Sequence, residues 1–206
     1  MILKAKHHLL LYPFFEWYGH SILKKDFGTH SIEGELNDRH LPLLLLSNHI
    51  SWWDGFWGSE VNIRLLHRKF HAMMQEDQLR KHWYFNYSGC FSVCPGAKSV
   101  VESLRYTVEI LKDAQNMVLL FPQGEIQSMN DPDITFEKGV AWILNHLETE
   151  IQVVFLVNLV DYFSDRKPGL YSYIREYTGE SSLSSLQEEY RLFYSQSVEK
   201  QKKRIG

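Results

Sequence analysis

An α/β fold in one domain, with a mostly parallel sheet flanked by helices, is predicted by three features of this chain. The first is a set of apolar runs without alternation: four leucines at 43–46, Met-Val-Leu-Leu-Phe at 117–121 and a longer run at 151–159. Strands that are apolar at every position are covered on both faces, as in parallel sheets. The second is a set of segments with helical periodicity between and after those runs, at 99–114 and 183–203. The third is the polar, loop-forming sequence that follows two of the apolar runs, where sites lie beyond the carboxyl ends of parallel strands.

The first 26 residues carry Leu9-Leu10-Leu11 and Tyr12, Phe14, Phe15, Trp17 and Tyr18 among lysines and histidines. That pattern predicts an amphipathic helix over 1–26, lying at a membrane interface or packed on the sheet. Pro13 interrupts a short apolar stretch and no small-residue cleavage site follows, so neither a signal peptide nor a spanning helix is expected. Residues 27–33 alternate as a strand, 34–40 form a turn, and 43–46 form the leucine strand. A helix at 52–66, a strand at 68–74 and a helical, aromatic-rich segment at 76–87 come next. A short strand at 91–94 precedes the helix at 99–114. Strand 117–121, helix 136–147 and the apolar strand 151–159 follow, the last reading as central. Residues 171–177 suggest an edge strand, and 182–204 a closing helix whose apolar stripe is Leu183, Leu186, Tyr190, Phe193 and Val198.

Composition narrows the functional classes. With 206 residues and 44% apolar content, one large core is available. A net charge of −3 provides no global attraction for nucleic acid. Two cysteines, Cys90 and Cys94, are too few for a disulfide framework and point to a reducing compartment, with both as small core residues. His67 and His71 would form a metal pair on a helix, but on a strand this spacing separates them by about 13 Å, so no metal site is expected.

The chemistry concentrates after the leucine strand, in Ser47-Asn48-His49-Ile50-Ser51-Trp52-Trp53-Asp54. In a continuous helix His49 and Asp54 would stand about 140° apart, so they meet only if a strand-to-helix turn folds one back on the other. Ser51 reads as the helix cap, with Asp54 in the first turn. A carboxylate holding one imidazole nitrogen leaves the other as a general base toward a hydroxyl. A loop histidine beside a capping aspartate is the bland alternative.

Taken in order, these blocks resemble the glycerolipid acyltransferases of the lysophosphatidic acid acyltransferase type. Asn48-His49 with Asp54 matches the Asn-His-x-x-x-x-Asp motif, and residues 33–37 are similar to the segment before it. Phe121-Pro122-Gln123-Gly124 is similar to Phe-Pro-Glu-Gly-Thr-Arg-Ser. Phe136, Lys138 and Gly139 resemble the element after that, and 153–157 falls where the family has its last hydrophobic motif. The likeness covers about 28–160.

It implies a glycerol-phosphate acyltransferase-like fold and transfer of a fatty acyl group from a thioester, acyl-coenzyme A or acyl carrier protein, to a lipid hydroxyl. It implies His49 as base and Asp54 as its partner, with no metal or bound cofactor. Gly124 and Asn48 are expected to stabilise the oxyanion or position the loop. A peripheral place on the cytoplasmic face of a membrane follows from the substrates, as does contact with lipid and with an acyl carrier.

The departures concern the acceptor. Pro95 stands where the family's second motif ends in a phosphate-binding arginine, and Gln123, Glu125 and Ile126 replace Glu, Thr and Arg in the third. The last motif also lacks its usual proline, with Phe155 near that position. Lys98, Arg105 or Lys138 could offer charge, but lysine is a point charge where arginine is a bidentate fork. Gln123 and Glu125 suit hydroxyls or an amine. The expected acceptor is therefore not a simple phosphomonoester. Lysophosphatidic acid acylation, thioester hydrolysis and lipid binding without turnover stay open as alternatives.

Overall fold

The computed structural model describes residues 2–94, 96–131 and 133–204. Seven strands form one sheet: β1 Thr29–Glu33, β2 Leu43–Ser47, β3 Lys69–Gln75, β4 Cys90–Val93, β5 Asn116–Leu120, β6 Gln152–Asp161 and β7 Gly169–Tyr177. Six α-helices accompany them: α1 Leu11–Asp26, α2 Asp54–Val61, α3 Glu76–Lys81, α4 Ala97–Ile110, α5 Lys138–Asn145 and α6 Leu183–Lys202. A π-helical turn at Asn62–Leu66 extends α2, and a 3-10 turn at Trp83–Tyr87 follows α3.

The sheet order is β1-β7-β6-β2-β5-β3-β4, with β2 in the middle. Every pairing is parallel except β6 with β7. The carboxyl ends of β2, β5, β6, β3 and β4 therefore share one edge. That edge is where a site can be assembled from loops that are far apart in sequence.

The four leucines of β2 explain its place. Leu44 and Leu46 point into a layer with Val118, Leu120 and Phe155, closed by Leu104 and Val108 of α4, Ile143 of α5 and Leu186, Tyr190 and Phe193 of α6. Leu43 and Leu45 point the other way, toward Met117, Leu119 and Leu156, under Val61, Leu66, Leu79 and Phe85. Since side chains alternate along a strand, a run that is apolar at every position supplies two layers. Helix α2 lies so close to β5 that a Cβ on Gly58 would come within 2.7 Å of Leu119 Cδ2.

Two expectations are corrected here. Residues 171–177 are not an edge: β7 lies between β6, to which it runs antiparallel over nine residue pairs, and β1, which is the edge. The mixed sequence Tyr171-Ser172-Tyr173-Ile174-Arg175 looks amphipathic, but the buried Ser172 and Tyr173 have hydrogen-bond partners that make their burial inexpensive. Nor does the first helix span 1–26. It begins at Leu11, and residues 3–8 run alongside β4 and the residues that precede it, with Ser92 N–H donating to Leu3 O and Gly89 N–H to Lys6 O. This strap supplies the hydrogen bonds that an edge strand would otherwise leave to solvent.

Candidate active site

At the end of β2 the chain is pinned before it turns. Asn48 is buried, its Oδ1 accepting from Asn158 N–H at 2.8 Å and its Nδ2 donating to Asn158 O at 2.9 Å. Both ends of this amide are thus committed to the backbone of β6. That is a positioning role. The clamp continues sideways, since Asn158 Nδ2 donates to Ser47 Oγ at 3.4 Å and Ser172 Oγ to Asn158 Oδ1 at 2.7 Å.

Directly after this clamp, His49 Nδ1 lies 2.8 Å from Asp54 Oδ2. The same oxygen accepts from Ile50 N–H at 2.7 Å and Ser51 N–H at 2.9 Å. The turn that lets residues five apart meet is thus held by the carboxylate itself. Asp54 is fully buried, and its Oδ1 has no partner among the described residues. Burial pushes its carboxyl above the usual range, while the bonds from His49 and the two backbone N–H groups pull it back toward the ionised form. The expected Ser51 cap is corrected: Ser51 Oγ accepts only from Trp53 N–H, at 3.1 Å, and Asp54 gathers the loop's N–H groups because a buried carboxylate is tolerable only with several donors.

A second loop, following β5, closes on the first. Phe121 stacks on His49 with ring centroids 4.1 Å apart and planes 12° from parallel. His49 N–H donates to Gln123 Oε1 at 2.7 Å, Gln127 N–H to His49 O at 2.8 Å, and Gln123 Nε2 to Gln127 Oε1 at 2.6 Å. Gln123 is therefore a buried brace between the two loops, with both ends of its amide engaged. Gly124 has φ of +76°, where a glycine avoids strain, and an added Cβ would stand 3.1 Å from Glu137 Cγ. Its N–H donates to Phe121 O at 3.1 Å, closing a turn, so it is not free for an oxyanion. Glu125 is exposed and accepts only a long bond, 3.4 Å, from Gln127.

His49, Phe121, Gly124 and Glu125 line a cavity of about 610 Å³, a volume typical of small-molecule sites. It continues along β3 past Met74, Ala72 and Phe70, under Tyr12, Phe15 and Glu16 of α1. No lysine or arginine lines it among the described residues. Lys98 and Lys138 lie in the first turns of α4 and α5 and are exposed, and neither they nor Arg105 lines this cavity. Pro95 lies outside the described residues. Cys90 sits in the cavity wall, where burial drives its thiol up to about 12, and Cys94 is half-buried. His71 is buried in β3 with Nδ1 against the Lys69 and Met117 carbonyls, and His67 ends the turn after α2.

Several residues of the site went unnoticed in the sequence. Asn158 left a signal, a lone polar residue within the apolar run 153–160. Gln127 and Glu16 left none, and Phe121 and Tyr12, visible as part of a motif and of an aromatic run, gave no sign of these contacts, because they depend on which loops and helices the fold brings together.

A crystal structure of the 1-acyl-sn-glycerophosphate (LPA) acyltransferase PlsC from Thermotoga maritima has the same fold, with TM-score 0.61 and 18% identity, over 93% of this chain and 80% of that one. Among curated proteins none matches the chain. The family model described as Acyltransferase matches residues 30–157. Because that match spans more than half of the sequence and takes in both loops that lock His49 against Asp54, the chain belongs to the Acyltransferase family.

Proposed function

We propose that this acyltransferase moves a fatty acyl group from an acyl thioester, acyl-coenzyme A or acyl carrier protein, to the hydroxyl of a lipid acceptor that is not a simple phosphomonoester. The observation that carries this reading is the pairing of the His49–Asp54 couple with an apolar cavity whose described lining holds Glu16 and Glu125 and no cation. A dianionic phosphate placed beside Glu125 without a compensating cation would be repelled.

The chemistry follows from the geometry. With Nδ1 donating to Asp54, His49 keeps Nε2 to accept the acceptor's hydroxyl proton as the oxygen attacks the thioester carbonyl. The tetrahedral intermediate collapses with cleavage of the C–S bond, and the imidazolium returns its proton to the departing thiolate. Asp54 stays ionised throughout and favours the charged imidazole. The Phe121 ring and the bonds to Gln123 and Gln127 hold His49 in place, so its orientation is set before substrate arrives.

A peripheral place on a membrane accompanies this reading. Leu9, Leu10 and Trp17 are 90%, 75% and 63% exposed, and Phe14, Trp52, Trp53 and Trp83 add aromatic surface near the site, the composition of an interfacial contact. No helix among the described residues is long and apolar enough to cross a membrane.

The fold shared with PlsC favours a second reading, acylation of lysophosphatidic acid. The deciding assay offers radiolabelled acyl thioesters with a total lipid extract or with lysophosphatidic acid, to the wild type and to His49→Ala. The expected product forms from the extract, not from lysophosphatidic acid, and falls by several orders of magnitude in the variant. Saturable acylation of lysophosphatidic acid would establish the second reading, and free fatty acid as the main product would replace both with hydrolysis.

A further inference from the structure

The part of the cavity under α1 is not uniformly greasy. Tyr12 and Glu16, one turn apart on α1, both line it, and so does Ser59 on α2. The Tyr12 hydroxyl accepts Phe70 N–H at 3.2 Å and shares a hydrogen bond with the Glu16 carboxyl, so its capacity is taken up. Glu16 has no cationic partner among the described residues, and Ser59 Oγ has no hydrogen-bond partner among them. The surrounding wall is Phe15, Phe56, Phe70, Ala72 and Phe85. Burial there raises the Glu16 carboxyl above the ordinary carboxylate range, and the hydrogen bond with Tyr12 offsets part of that rise.

The sheet register places this polar station relative to His49. Phe70 pairs with Met117, which precedes Phe121, the residue stacked on His49, by four residues along β5 and its exit, and Met74 lines the cavity beside them. From Met74 down to Phe70 is four strand residues, about 13 Å. The Tyr12–Glu16 pair therefore lies well down the cavity from the reacting carbonyl.

We propose that Glu16, with Ser59, selects acyl donors that carry a hydroxyl well along the chain. This deepens the proposed function and rests on it. A hydroxyl at that depth donates to the free acceptor capacity of Glu16 and can accept from Ser59. A plain hydrocarbon chain would instead strip water from the half-buried Glu16, leaving Tyr12 as its hydrogen-bond partner and returning no donor for the rest of its acceptor capacity, which is costly.

The test compares octadecanoyl-coenzyme A with its 3-hydroxy, 10-hydroxy and 12-hydroxy forms as donors to a total lipid extract, for the wild type, Glu16→Leu and Glu16→Gln. In parallel, binding of the free octadecanoic and hydroxyoctadecanoic acids is measured by calorimetry on the full chain. Wild type should favour a mid-chain hydroxyl by about tenfold in kcat/KM over both the plain and the 3-hydroxy donor. Glu16→Leu should reverse that order, and Glu16→Gln, which still accepts a hydrogen bond, should keep part of it. Tight binding of plain octadecanoic acid by Glu16→Leu shows that the variant is folded. Equal use of plain and hydroxylated donors by the wild type, or an unchanged preference in Glu16→Leu, overturns the inference while leaving acyl transfer intact. Glu16-dependent binding of the hydroxy acids without transfer from any donor would overturn the proposed function and keep the station.

Discussion

His49 and Asp54 work as one unit because each solves a problem of the other. The carboxylate is fully buried, and its ionised form depends on three N–H donors meeting one oxygen. Asp54→Asn keeps the shape but supplies an amide that either donates toward His49 or loses one of the backbone N–H groups. The expected result is a fall in kcat of at least a hundredfold with KM little changed. A variant within a few-fold of wild type would remove Asp54 from the mechanism. At this scale the sequence spoke clearly about His49 and Asp54 and poorly about Gln123 and Gly124. The residue types suggested binding and oxyanion roles for those two, but their polar groups are occupied by His49, Gln127 and Phe121, contacts that form only when the loops after β2 and β5 close on each other.

The strand β2 and the loop that leaves it are a single element in mechanical terms. Its leucines lock the strand in both layers, and the Asn48–Asn158 clamp locks its end to β6. Leu45→Ala should destabilise the protein by about 2–5 kcal/mol through lost burial and a cavity. Asn48→Ala should cost about 2–4 kcal/mol, because the backbone N–H and C=O of Asn158 are left buried without their side-chain partner. It should also lower kcat, since the clamp immediately precedes His49. Denaturant titration with parallel turnover measurements checks both, and an Asn48→Ala enzyme of unchanged kcat would separate the clamp from catalysis. The β2 strand was legible because an all-apolar run leaves few options. The placement of β7 was not, because a half-polar strand reads the same at an edge as in an interior where Ser172 and Tyr173 find buried partners.

The molecule as a whole carries buried histidines away from the site. Burial lowers His30 and His71 from 6.5 to about 4, and lowers His7 as well. A folded-state pKa below the unfolded one means that the unfolded chain takes up the proton first. The stability these groups contribute is complete above pH 6.5 and is lost as pH falls toward 4. Thermal midpoints measured from pH 7 to 4 should drop across that window, and His71→Leu should show a shallower acid limb. An identical slope in the variant would assign the loss to other groups. The same scale governs the membrane. Exposed Leu9, Leu10 and Trp17 predict vesicle binding that falls when all three become Ser, and equal binding by that variant in a flotation assay would move the contact elsewhere.

Taken alone, the sequence determined the α/β class, the order of strands and helices, and the pairing of His49 with Asp54. Those features depend on local periodicity and on a short loop, both carried by neighbouring residues. The tertiary structure decided that β7 enters the sheet interior, that Gln123 and Asn48 brace the loops around His49, and that Lys98 and Lys138 lie off the cavity wall. It also placed Tyr12 and Glu16 along the cavity that His49 lines. These are matters of which distant segments share a buried hydrogen bond or a common cavity, and that information exists only once the sheet has set its strand order.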